Sequence, residues 1–261
     1  MEVAAESPQP TAQFLLTFTL LGVYVGIIPV FLGVLWFPFL RRLARRWVHF
    51  FLSLTAGLLV FLGVDALAEA LESAGNVPAA FQGTALVAVG FLASSLALIA
   101  AGRLARGRVS SSRLLVAYLI AIGIGLHNLG EGLAIGAAYN LGKLALGTFL
   151  VIGFMLHNTT EGLGIVAPVA REGAALRDLV GLGLVAGAPT IAGTWLGGFT
   201  YSPVLATLFL ALGAGAIFQV VYEVLKLMIA DAAQEVATLI NVLGFALGLL
   251  IMYLTGLFVA V

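Results

Sequence analysis

Six residues in two copies of one pattern stand out as able to do chemistry. The pattern L-H-N-x-x-E-G-L occurs as LHNLGEGLAIGAA from Leu126 and again as LHNTTEGLGIVAP from Leu156, thirty residues later. On a helix, His127 and Glu131 differ by about 400° of rotation, a net turn of roughly 40°, so they share one face, with Asn128 about 100° away. His157, Glu161 and Asn158 repeat the arrangement. If the two faces meet, two imidazoles, two carboxylates and two amides converge. Imidazole nitrogen and carboxylate oxygen are ligands for zinc, iron and manganese, and the same donors suit cobalt, nickel or cadmium. Two glutamates would also cancel the charge of one divalent ion.

The rest of the chain sets the solvent around that cluster. Hydrophobic residues make up 62% and charged residues only 9%, against about 25% charged in soluble domains. Hydropathy comes in runs of about 20 residues, the length a helix needs to cross a bilayer. The expected fold is therefore an all-α integral membrane protein with eight transmembrane helices, at about 14–40, 47–71, 79–102, 113–138, 144–169, 174–199, 203–229 and 236–260. Both motif copies then lie in hydrocarbon, in spans four and five, where a buried charge costs about 2.5–3.5 kcal/mol. Interhelical hydrogen-bond glue, worth about 0.6 kcal/mol per contact, would scatter polar residues. Here one six-residue pattern occurs twice and holds two of the three histidines. A divalent ion explains both the charge and the spacing.

Other functions find less support. There is no H-E-x-x-H or paired E-x-x-H string, no nucleophile-base pattern and no phosphate-binding glycine loop, so neither an enzyme nor a prosthetic group is expected. Cysteine is absent, which removes thiolate ligands and disulfides, and twelve basic residues balance twelve acidic ones, giving no reason to expect nucleic acid. The short connections leave a single transmembrane domain, 1–261, with residues 1–13 as a leader. Arg41, Arg42, Arg45 and Arg46, then Arg103, Arg106, Arg108 and Arg113, then Arg171 and Arg177, then Lys226 fall in alternate connections, and only Lys143 in the opposite set. That bias predicts a multi-pass protein of the cell membrane with both termini on the non-cytoplasmic side.

Among 32 glycines, the pairs Gly132/Gly136, Gly193/Gly197 and Gly244/Gly248 predict close helix contacts and make a homodimer plausible. Pro29, Pro168 and Pro189 fall within spans, where each frees a carbonyl and favours a kink. Asp65 with Glu69 in span two, and Gln219 with Glu223 in span seven, recur at four-residue spacing and are candidates for an ion path. Glu223 could equally be a snorkelling carboxylate beside Lys226. His49, next to Trp47 and the arginine cluster, reads as interfacial.

At the repeated motif the chain resembles the ZIP (Zrt/Irt-like) family of divalent metal transporters, whose fourth and fifth helices carry H-N-x-P-E-G motifs. The stretch GIIPVF looks like that family's first helix, and AGLLVFLGVDALAEAL like its second, with Asp65 where a His is common and Glu69 where a Glu is usual. The resemblance implies eight spans, helices 1–3 and 6–8 as an inverted repeat around helices 4 and 5, and transport toward the cytoplasm by alternating access. It differs at Gly130 and Thr160, which replace the motif proline, and at Ala188, where two-metal members have a glutamate. Asn158 likewise replaces the fifth-helix acid of a second site. The expectation is one metal site built on His127, Glu131, His157 and Glu161, with Asn128 and Asn158 as neighbours or weak ligands. The alternatives are a non-transporting metal-binding or sensing protein, and a carrier or channel for another solute with a proton relay.

Overall fold

The computed structural model describes residues 11–106, 109, 111–199 and 202–257. The first ten residues of the leader, Arg108 and the last residues of span eight lie outside the described residues. The chain is an all-α membrane protein, with no strand among the described residues. Eight helices are long and apolar enough to cross a bilayer: Ala12–Leu40, Arg45–Ala74, Ala79–Ala105, Ser112–Asn140, Leu144–Val166, Leu176–Phe199, Pro203–Ala232 and Leu239–Gly256, here spans 1 to 8. Local chemistry sets several of the starts. Thr11 and Ser111 accept from Phe14 N and Leu114 N as N-caps, and Ser202 caps span 7 ahead of Pro203 in its first turn. Large apolar residues such as Leu16, Val89, Leu96 and Leu243 face outward, as a lipid solvent permits.

Spans 4 and 5 are uninterrupted α-helices, so neither Gly130 nor Thr160 breaks the backbone ladder. The interruptions lie in their neighbours. Span 1 passes through a π-helical turn at Val23–Ile27 just before Pro29, and span 6 is split between Leu176–Gly187 and Pro189–Phe199. Pro168 corrects the sequence expectation: the helix ends at Val166, so this proline terminates span 5 and does not kink it.

The helices pack as two groups. Spans 1, 4, 5 and 6 form one, spans 2, 3, 7 and 8 the other, and span 4 leans on span 7 across the seam. Two sets of contacts correspond under exchange of spans 1–3 with 6–8 and of 4 with 5: span 6 packs on 4 as span 1 packs on 5, and span 8 packs on 2 as span 3 packs on 7, whereas span 4 meets span 7 far more closely than span 5 meets span 2. Since successive spans alternate in direction, spans 1 and 6 run oppositely, and the repeat is inverted.

Glycines permit the closest crossings. A methyl at Gly193 would strike the carbonyl oxygen of Leu129 and sit 2.9 Å from Gly132 Cα, and Gly132 in turn faces Thr190 and Thr194. Gly162 meets Gly33 in the same way across spans 5 and 1, with a methyl at Gly162 only 3.0 Å from Gly33 Cα.

At the end of the bundle that carries most arginines, the two groups are fastened by partly buried charge. Arg113 of span 4 binds Asp231 of span 7, reaches Glu172 after span 5 at 3.1 Å, and donates to Pro168 O at 3.3 Å. His49 corrects a second expectation. It is only 1% exposed while Trp47 is 40% exposed, because a two-residue step, about 200° around the helix, puts Trp47 on the lipid side and His49 inward, 3.4 Å from Asp231.

Gly193→Leu should therefore cost about 1–3 kcal/mol or more by overpacking the crossing of spans 4 and 6. Gly256→Ala, where an added methyl meets nothing within 4 Å, should be near neutral. Thermal unfolding in detergent compares the two.

Candidate metal centre

The i, i+4 spacing on two continuous helices places both motif copies where spans 4 and 5 face each other. All six motif residues are buried, none more than 8% exposed. One ligand atom each from His127, His157 and Glu161 lies within 4.8 Å of the others, and the two imidazole centroids are 6.4 Å apart. Glu131 sits between the rings: its Oε1 accepts from His127 Nε2 at 3.1 Å and from His157 Nε2, and its Oε2 accepts from Asn158 Nδ2 at 3.2 Å. Phe154, one turn before His157, packs at 5.4 Å between ring centroids and steadies that imidazole.

Each asparagine has a different task from its neighbours. Asn158 Nδ2 also donates to Val25 O at 3.0 Å, and Asn128 Nδ2 donates to Ala186 O at 3.1 Å. Both carbonyls belong to the interrupted helices. Pro29 has no N–H to offer Val25 O four residues back, and Ala186 is in the last turn before the split of span 6. Asn158 thus completes a broken backbone ladder inside the membrane, where an unmet carbonyl is costly, and Asn128 ties down a carbonyl in the turn before the break of span 6. Pro29 signals the Val25 carbonyl in the sequence, but not which side chain supplies the donor.

What the hydrogen bonds leave over is all acceptor. Among the described residues, neither oxygen of Glu161 nor the Oδ1 atom of Asn128 or Asn158, all buried, has a hydrogen-bond partner within 3.5 Å, although the Asn128 side chain lies close enough to Glu161 to influence its charge. Burying a carboxylate in this state is unfavourable unless a cation or proton meets it. A nitrogen-plus-oxygen donor set with surplus acceptors fits a divalent transition metal. Each His–Glu131 contact holds a proton between nitrogen and oxygen, and a metal binding those nitrogens must displace it.

The structure does not bring every candidate to this cluster. Glu69 lines a cavity of about 250 Å³ with Glu72, Ser73 and Asn76, whose far wall includes Gly130, Leu133 and Ala134 of span 4. Glu69 is within electrostatic reach of His127 and Glu131. Asp65, one turn earlier, is exposed. Gln219 and Glu223 line a separate crevice at the arginine-rich end, where Gln219 Nε2 approaches Glu223 at 3.5 Å and Lys226 pairs with Glu223 at 3.2 Å. Ala188 contributes no ligand, lying at the break of span 6.

No family model matches this chain, and no curated protein matches it.

Two measurements separate ligands from scaffolding. Cobalt(II), titrated into purified protein and followed by its visible absorption, should bind about tenfold or more weakly to His157→Ala and Glu161→Gln, while Glu223→Gln leaves affinity unchanged. Asn158→Leu leaves Val25 O without its donor and should lower stability by about 1–3 kcal/mol in metal-free protein, read by thermal unfolding.

Proposed function

We propose that this protein carries divalent transition-metal ions across the membrane through the His127, Glu131, His157 and Glu161 cluster, by alternating access. The observation that carries the reading is the meeting of the two motif copies, with His127, His157 and Glu161 donor atoms within 4.8 Å and Glu161 otherwise unpartnered. The cluster also lies at the seam of the two helix groups. A methyl on Gly213 of span 7 would sit 3.2 Å from His127 Cα, so the second group closes directly over the metal-facing helix. Relative movement of the groups would expose the ion to one side and then the other.

The ion would enter through the cavity lined by Glu69 and Glu72, whose carboxylates attract cations toward span 4. The arginine-rich end would face the cytoplasm, and transport would run toward it, as the resemblance to ZIP transporters implies. Asn128 and Asn158 hold spans 6 and 1 to the metal-bearing helices, with their free Oδ1 atoms as weak further donors. The metal is cargo, and the fluxed ion could be zinc, iron, manganese, cobalt or cadmium by ligand chemistry alone.

Proteoliposomes loaded with a metal-sensing dye test this directly. Uptake of zinc or manganese should be lost in Glu131→Gln and Glu161→Gln, and should fall as external pH drops, because protons compete for imidazole and carboxylate. Wild-type flux of another solute that ignores chelators would replace this reading with a proton-relay carrier. Bound metal without flux would leave a metal-binding or sensing protein.

A further inference from the structure

A large cavity lies away from the His/Glu cluster. It is a crevice of about 920 Å³ at the arginine-rich end, where spans 3, 4 and 7 meet and where the consecutive spans 3 and 4 barely touch. Its volume lies in the roughly 300–1,000 Å³ range of ligand-sized sites. Its inner walls are apolar, built from Ile99, Leu115, Leu119 and Leu227, and its rim carries Arg103, Arg106 and Lys226.

Charge at that rim is unbalanced. Glu223 is the only acid in the lining, and it already pairs with Lys226 at 3.2 Å. Asp231 and Glu172, nearby acids of the same end, are taken by Arg113. Arg103 and Arg106 make no ion pair with an acid among the described residues, and both are exposed. The N-terminus of span 4 opens on the same crevice through Ser111 and Ser112, adding the positive end of a helix dipole.

We propose that this crevice binds an anionic diacyl phospholipid, with its phosphate on Arg103 and Arg106 and an acyl chain between spans 3, 4 and 7. Three facts select this occupant. An apolar crevice within the bilayer is poorly suited to water. Two guanidiniums with no acid paired to them among the described residues offer, at one edge, forked donors matched to a phosphate diester. Basic pockets between helices at a membrane face attract acidic head groups at about 1 kcal/mol per residue, or about fivefold in affinity each. A bound lipid would fill the space between spans 3 and 4 and so join the two helix groups on the side away from Arg113.

Delipidated protein in a nonionic detergent, titrated with phosphatidylglycerol or phosphatidylcholine of identical chains and read by native mass spectrometry, tests the assignment. Phosphatidylglycerol should bind more tightly than phosphatidylcholine. Arg103→Gln and Arg106→Gln should each weaken it about fivefold, and together erase the head-group preference. Ala105→Trp, at the crevice wall, should weaken both lipids alike. Circular dichroism and gel filtration confirm folding, and if the double variant fails them the two single variants still decide the case. Equal binding of both lipids, a preference that survives loss of either arginine, or displacement of the lipid by equimolar inorganic phosphate would overturn the proposal.

Discussion

Two carboxylates and two imidazoles placed in hydrocarbon are the constraint around which this bundle is organised. A single ionised group at that depth costs about as much as the burial of one or two apolar side chains contributes. The fold answers by making the groups neighbours. Glu131 takes both histidines and Asn158, while Glu161 keeps two oxygens available. The neighbouring spans meet the cluster with glycine contacts and amide donors, and Phe154 packs on the His157 ring.

The repeated motif explains how this is done twice with one set of residues. Within each copy, the histidine and glutamate point toward the facing helix. The asparagine ties down a carbonyl of an interrupted helix: Ala186 in span 6, Val25 in span 1. The glycine after the glutamate meets a glycine of that same interrupted helix: Gly193 for Gly132, Gly33 for Gly162. Imidazole and carboxylate, backbone donor and packing surface thus follow one another around about a turn and a half. A chemical role and a structural role are carried by adjacent residues on different faces.

The irregular backbone lies one layer out from the motif, at Pro29 and Pro189, and spans 4 and 5 stay continuous, which holds the imidazoles and carboxylates in register. A regular helix fixes the angular offset of residues four apart more firmly than a kinked one. At the arginine-rich end, Arg113 performs the complementary task, joining the two helix groups through Asp231 and pairing with Glu172 inside its own group.

Much of this was legible in the residues. Long apolar runs fix eight helices, because a bilayer-spanning segment must satisfy its own backbone and its length is set by membrane thickness. The four-residue spacing of His127 to Glu131 and of His157 to Glu161 fixes which groups share a face, since helical rotation is a local property. What the sequence could not decide is everything that depends on which helix lies beside which. That Glu131 would be shared by two rings while Glu161 is left open, that Pro168 would end a span, that His49 would turn inward to Asp231, and that Gln219 and Glu223 would face a crevice apart from the cluster are outcomes of contacts between residues far apart in the chain. Spacing along a helix gives direction around one axis, and only the packing of several axes determines what each direction meets.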